Sequence, residues 1–151
     1  MRTSVPAFVV LLCLQAVFAL ASGPDAILGT WNNEEKNAQI EIFACDGRYC
    51  GRIVWLKEPN YPAGSTEGLP ATPKLDRNNP DPQKRKDPVL GLVIVRDFQT
   101  EEENRLTNGT VYDPKNGKTY KGKITLISHG RLELRGYIGI PLIGRTTTWT
   151  R

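Results

Sequence analysis

Histidine, free cysteine and the common catalytic motifs are nearly missing from this chain. Its one histidine, His129, is followed by Gly130 in a turn-like context, where a solvated ring is the expected state. A nucleophile–base relay needs a second histidine or a free cysteine. A zinc site needs about four ligands. A dithiol redox motif needs a two-residue spacer, whereas four residues separate Cys45 from Cys50. The run Gly64-Ser65-Thr66-Glu67-Gly68 lacks the Gly-x-Ser-x-Gly spacing of a nucleophile elbow. Asp113-Pro114-Lys115-Asn116-Gly117 lacks the spaced acids and distal glutamate of a calcium loop. No glycine-rich phosphate loop opens a helix, and the acidic clusters Glu34-Glu35 and Glu101-Glu102-Glu103 fall in polar turns. The expectation is a non-enzyme without catalytic residues, cofactor or metal. Charge of one sign is also scarce, with 20 basic against 16 acidic side chains. No concentrated basic stripe argues for nucleic acid.

What is present begins with a basic Met1-Arg2, an apolar run over 5–20, and Ala19-Leu20-Ala21 before Ser22-Gly23-Pro24. That order predicts a signal peptide over 1–21. The mature chain, 22–151, is then one domain with a net charge of +3 and a periplasmic or secreted address. Nothing after Ala21 is apolar for long enough to span a membrane. Cys13 leaves with the signal. The remaining pair, Cys45 and Cys50, is predicted to form a disulfide in an oxidising compartment.

Sustained helical periodicity is absent, and strand signals dominate. A first short strand is expected over 26–32. A second, over 38–45, has Ile40 and Ile42 on one face and Gln39, Glu41 and Phe43 on the other. Asp46-Gly47 marks a hairpin into a third strand over 49–56. With a loop over 46–49, Cys45 and Cys50 would lie directly opposite. Residues 57–88 hold seven of the eleven prolines and no periodicity, which excludes a central strand and leaves either a functional lid or a mobile segment. Lys84-Arg85-Lys86 within it reads as a solvated tip. Residues 89–98 are apolar enough for a strand buried on much of both faces. Further strands are expected over 106–112, 118–127, 131–138 and 145–151. The total is about eight, joined mostly by hairpins without a crossover helix. The fold class is therefore all-β, a single antiparallel up-and-down barrel carrying one long proline-rich loop.

Several stretches together resemble the DUF2147 family, whose mostly exported bacterial members have no assigned function. They are Gly29-Thr30-Trp31, the Cys-x4-Cys-Gly-x-Ile-Val-Trp-Leu run over 45–56, Asn79-Pro80-Asp81-Pro82 ahead of Pro88-Val89-Leu90-Gly91, and Gly109-Thr110-Val111-Tyr112-Asp113-Pro114. Gly117-Lys118-Thr119-Tyr120 and Arg135-Gly136-Tyr137-Ile138-Gly139, before Arg145 and Trp149, complete the pattern. The resemblance covers most of 22–151 and implies a small lipocalin-like barrel. A Gly-x-Trp on the first strand with an arginine near the last is also similar to lipocalins and fatty-acid-binding proteins. There the arginine closes the barrel over the tryptophan, a role open here to Arg145 or Arg151.

An eight-stranded barrel is either filled by side chains or holds one small ligand. The candidate ligand-binding residues are Trp31, Trp55, Tyr112, Tyr120, Arg135, Tyr137, Arg145 and Trp149, suited to an anionic or aromatic molecule. The competing reading has the tryptophans plugging the barrel and the tyrosines belting its rim. The expected role is a non-catalytic small-ligand-binding module. The alternative is an envelope-associated interaction or structural module with a filled barrel. The expected partner is a small molecule and not nucleic acid.

Overall fold

The computed structural model describes residues 23–151; the segment read as a signal peptide, with Cys13, lies outside the described residues. Eight antiparallel strands close into a barrel in chain order: β1 (Gly29–Asn32), β2 (Ala38–Cys45), β3 (Arg48–Leu56), β4 (Val93–Glu102), β5 (Arg105–Asp113), β6 (Lys118–Ser128), β7 (Arg131–Tyr137) and β8 (Gly144–Thr150). Closure between β1 and β8 rests on one paired position, Asn32 with Thr150. Every strand except β3 reaches the next through a short turn. The up-and-down path gives the barrel two different ends. The turns after β2, β4 and β6 gather at one end with both chain termini. The turns after β1, β5 and β7 gather at the other, together with the long 57–92 connection.

The terminal end is solidly filled. Residues Pro24–Ile27 form a 3-10 turn where a strand was expected to begin, and β1 starts only at Gly29. The reason is local: Ala26 and Leu28 give their carbonyls to the Arg151 guanidinium instead of to a neighbouring strand, at 2.7 and 2.8 Å. That guanidinium also donates to the His129 carbonyl at 2.6 Å and stands 4.1 Å from the Trp31 ring centroid. Trp31 is fully buried, and its Nε1 donates to the Ile27 carbonyl at 2.8 Å. Of the two arginines open for this role, Arg151 fills it; Arg145 sits at the opposite end.

Above this plug the barrel is crossed by Phe98, packed with Ile42, Leu106, Ile124 and Leu132 in one cluster. A Cβ on Gly109 or Gly122 would lie 2.1 or 2.4 Å from the Phe98 ring, so the two glycines make the space that the ring occupies. Period-two alternation places Ile40 and Ile42 of β2 inward, as the sequence pattern predicts.

Four local expectations are corrected. β4 begins at Val93, because 89–92 runs alongside β3, with Gly91 N and Leu92 O bonded to Ile53. β4 is buried at Ile94, Val95 and Phe98, not along both faces. Ile138 leaves β7 for the exposed turn that follows it. Cys45 and Cys50 do form a disulfide, with Cα atoms 5.9 Å apart, but they are not directly opposed. Asp46 and Gly47, both at positive φ, make a two-residue turn that pairs Cys45 with Arg48 and Phe43 with Cys50. The bond therefore runs diagonally across the twisted hairpin.

The proline-rich connection is folded. It carries two isolated bridges, Asn60 with Pro73 and Leu75 with Pro88, and a 3-10 turn at Pro82–Lys84 capped by the Asp81 side chain. Tyr61 is its internal core: its hydroxyl accepts from Leu75 N at 3.1 Å, and Tyr61 N donates to the Thr72 carbonyl.

Candidate functional site

Away from the plug, the packed core ends below a concavity that opens at the mouth. A chamber of about 1310 Å³ runs from the middle of the barrel to the mouth, under the 57–92 lid. Its floor is apolar: Ala38, Ile40, Ile53, Ile94, Leu134 and Trp149. These come from strands β2, β3, β4, β7 and β8, each contributing inward positions of its alternation. Tyr112, Tyr120 and Tyr137 stand on the walls. Charged side chains occupy the rim, where Arg145 pairs with Glu34 at 3.1 Å and Lys115 with Glu35 at 3.0 Å. The Lys115 hydrogen bond, helped by one from Asn37, holds the Glu35 carboxyl below its usual range. Lys57 and Arg77 also line the mouth, and neither forms an ion pair among the described residues.

The lid is latched to the barrel by a buried polar group. Asp76 is fully buried; its Oδ1 accepts from the Tyr112 hydroxyl at 2.6 Å and its Oδ2 from Asn79 Nδ2 at 2.6 Å. Asn79 in turn accepts from Asp81 N through its side chain and from Arg85 Nε through its carbonyl. Burial, then the bond to Asp76, pushes the Tyr112 phenol well above its usual value. Tyr112 therefore serves as a hydrogen-bond donor at neutral pH, and it is disfavoured as a base. A second latch runs from Asn78 Nδ2 to the carbonyls of Pro114 and Lys115, at 3.3 and 3.0 Å.

Of the eight candidate ligand residues, the structure brings five to the chamber: Tyr112, Tyr120, Tyr137, Arg145 and Trp149. Three lie elsewhere. Trp31 is sealed in the plug under Arg151. Trp55, 43% exposed, faces outward from β3: alternation with buried Ile53 would turn it inward, but the register shifts between Gln39 and Ile40, whose partners Trp55 and Ile53 flank the unpaired Val54, and this bulge turns it out. Arg135 turns to the β7–β8 hairpin, where its Nε donates to the Pro141 carbonyl at 2.6 Å. The aliphatic floor and the Asp76–Asn79 latch carried no such assignment from sequence. Inward alternation already marked Ile40. Asn79-Pro80 was part of a motif, but its bond to Asp76 depends on how the lid folds.

A family model for an uncharacterized protein conserved in bacteria, DUF2147, matches residues 29–151. The chain belongs to the DUF2147 family. The match spans the eight strands and the lid, so chamber and latch lie on family sequence, while the 3-10 turn that completes the plug precedes it. Among solved structures, the fold is similar to HP1028 from the human pathogen Helicobacter pylori, a protein described as belonging to the lipocalin family. The TM-score is 0.67 and the identity 23%, covering 82% of this chain and 81% of that one. At that identity the likeness is one of fold. No curated protein matches the chain.

Proposed function

We propose that this DUF2147 protein is an exported, non-catalytic binding module that takes one small amphiphilic molecule into the mouth half of its barrel. The carrying observation is the chamber itself. Small-molecule sites are concave and mostly apolar, with a few polar groups that orient the ligand, on the order of 300–1,000 Å³. This one has an aliphatic and indole floor, three tyrosines above it and charged residues of both signs at its rim, among which Lys57 and Arg77 form no ion pair among the described residues. An apolar or aromatic body would rest on Ile40, Leu134 and Trp149. An anionic end would reach Lys57 and Arg77. The 57–92 lid, held by Tyr112 and Asp76, would limit access from solvent. Export fits a chain of a bacterial family that carries a Cys45–Cys50 disulfide. In the described residues no helix is long and apolar enough to cross a membrane.

The test is a fluorescence titration with anilinonaphthalene sulfonate, an aromatic anion of the proposed class. Wild type should bind it saturably with transfer from Trp149. Leu134→Trp, which fills the floor, should weaken binding roughly tenfold or more while keeping the melting temperature within a few degrees. Equal binding by both proteins would place the dye outside the chamber and refute the reading.

A further inference from the structure

The β7–β8 turn is unlike the other turns of the barrel. Its sequence, Ile138-Gly139-Ile140-Pro141-Leu142-Ile143, contains no charged residue. Its four large side chains stand in water: Ile138 is 62% exposed, Ile140 53%, Leu142 85% and Ile143 67%. At the same time four of its six backbone carbonyls are satisfied internally. The Ile140 carbonyl accepts from Ile143 N and the Ile143 carbonyl from Ile138 N. The Pro141 and Leu142 carbonyls accept from the Arg135 guanidinium at 2.6 and 3.3 Å. Pro141 has no N–H to satisfy. Apolar side chains outside with most carbonyls bonded inside suits a tip that dips into the headgroup–acyl boundary, where unpaired backbone groups are costly but water still reaches the remainder.

We propose that this hairpin docks the barrel, mouth first, on an anionic lipid surface. Charge supports that occupant. The segments at the mouth end, 33–37, 57–92, 113–118 and 135–145, hold eleven Lys and Arg against eight Asp and Glu, whereas the rest of 22–151 is balanced at eight against eight. The whole net positive charge of 22–151 thus sits at the end that carries the apolar tip, and juxtamembrane cations are drawn to anionic headgroups. Shape and size argue against a protein partner. A stable protein interface buries about 800 Å² on each side, and a convex six-residue tip presents no such face. Ile138 and Ile143 also line the chamber, so a docked tip would bring its opening to the lipid surface. The proposal does not depend on the chamber holding a ligand.

The test is flotation of the mature chain with vesicles of phosphatidylcholine containing phosphatidylglycerol, and with pure phosphatidylcholine vesicles. Wild type should float with the first and much less with the second. Leu142→Asp should reduce flotation at least about tenfold. Ile127→Asp, an exposed apolar site at the opposite end, should leave it unchanged. Leu142→Trp should show a blue-shifted emission that bromine on the acyl chains quenches beyond the wild-type signal. Circular dichroism melts confirm that each variant folds. Wild type remaining in solution with both vesicles would overturn the proposal. So would Leu142→Asp floating as well as wild type, which would mean that charge alone holds the protein. A tip-dependent dimer without flotation would assign the hairpin to a second copy instead.

Discussion

A few side chains divide this barrel into a filled half and an open half. Phe98 is the partition. Its ring lies over backbone left bare at Gly109 and Gly122, so even a methyl group there must displace it. Gly109→Ala is expected to cost about 1–3 kcal/mol by overpacking, read as a lower urea midpoint with an unchanged slope. Arg151 seals the plug by bonding three carbonyls while facing the Trp31 ring. Arg151→Ala should lose about 2 kcal/mol. Arg151→Lys should recover little of it, because an ammonium lacks the planar fork that spans those carbonyls. Tyr112 acts at the other end. Tyr112→Phe leaves Asp76 Oδ1 without its donor in a buried site, a loss of about 1–3 kcal/mol. Its pH dependence has a definite sign. A phenol whose folded pKa is raised contributes stability that is fully present below its unfolded pKa of about 10, and loses it as pH rises towards the folded value. Wild-type stability should therefore fall above about pH 10, and the gap to Tyr112→Phe should narrow over the same range in urea melts.

At the scale of elements, the lid and the stapled hairpin behave as separate units. The lid has its own bridges and the Tyr61 core, but few side chains tie it to the strands. Tyr112→Phe should accordingly raise amide hydrogen exchange around Asp76 and Asn79 while the β5 amides keep their protection. The β2–β3 hairpin carries the disulfide, which closes a short loop. Chain-entropy reasoning gives about 2 kcal/mol for a loop of six residues, so reduction should lower the melting temperature modestly and leave the barrel folded. The strands themselves were legible in sequence, because alternation such as Ile40/Ile42 against Gln39/Glu41 states which face is inside. The lid's folding was not legible. Its prolines announce the absence of central strand, but its order comes from contacts between Tyr61, Asp76, Asn79 and Tyr112, some of which are tens of residues apart in sequence. Strand ends were blurred for the same reason. Nothing near 26–28 or 89–92 in the chain announces that Arg151 or Ile53 will take those backbone groups.

Across the whole molecule, the chain sets one sealed end against one open end. Sequence reasoning placed aromatic and basic residues around a cavity, but could not assign them to ends, since that depends on barrel direction. Trp31 and Trp149 look alike in composition, yet one lies in the plug and the other forms the chamber floor. Likewise, Arg145 and Arg151 were equal candidates for the tryptophan cap until topology put them at opposite ends. The aliphatic part of the floor was not legible because Ile53, Ile94 and Leu134 are core residues that only at their outer ends border the concavity at the mouth. The polarity of the molecule unites the two proposals: apolar floor, tyrosine wall, charged rim and apolar tip all belong to the same end.

The proposed division of the barrel is a ligand-taking mouth half above a solid terminal half. The most direct measurement is methyl-selective NMR of residues 22–151 titrated with dodecanoate, chosen as an anionic amphiphile. Saturable shifts are expected at the methyl groups of Ile40, Ile53, Ile94 and Leu134, with Ile42, Leu106, Ile124 and Leu132 unmoved. Shifts confined to the outward-facing Val54, Ile127 and Leu90, or none inside the barrel at ligand excess, would contradict it.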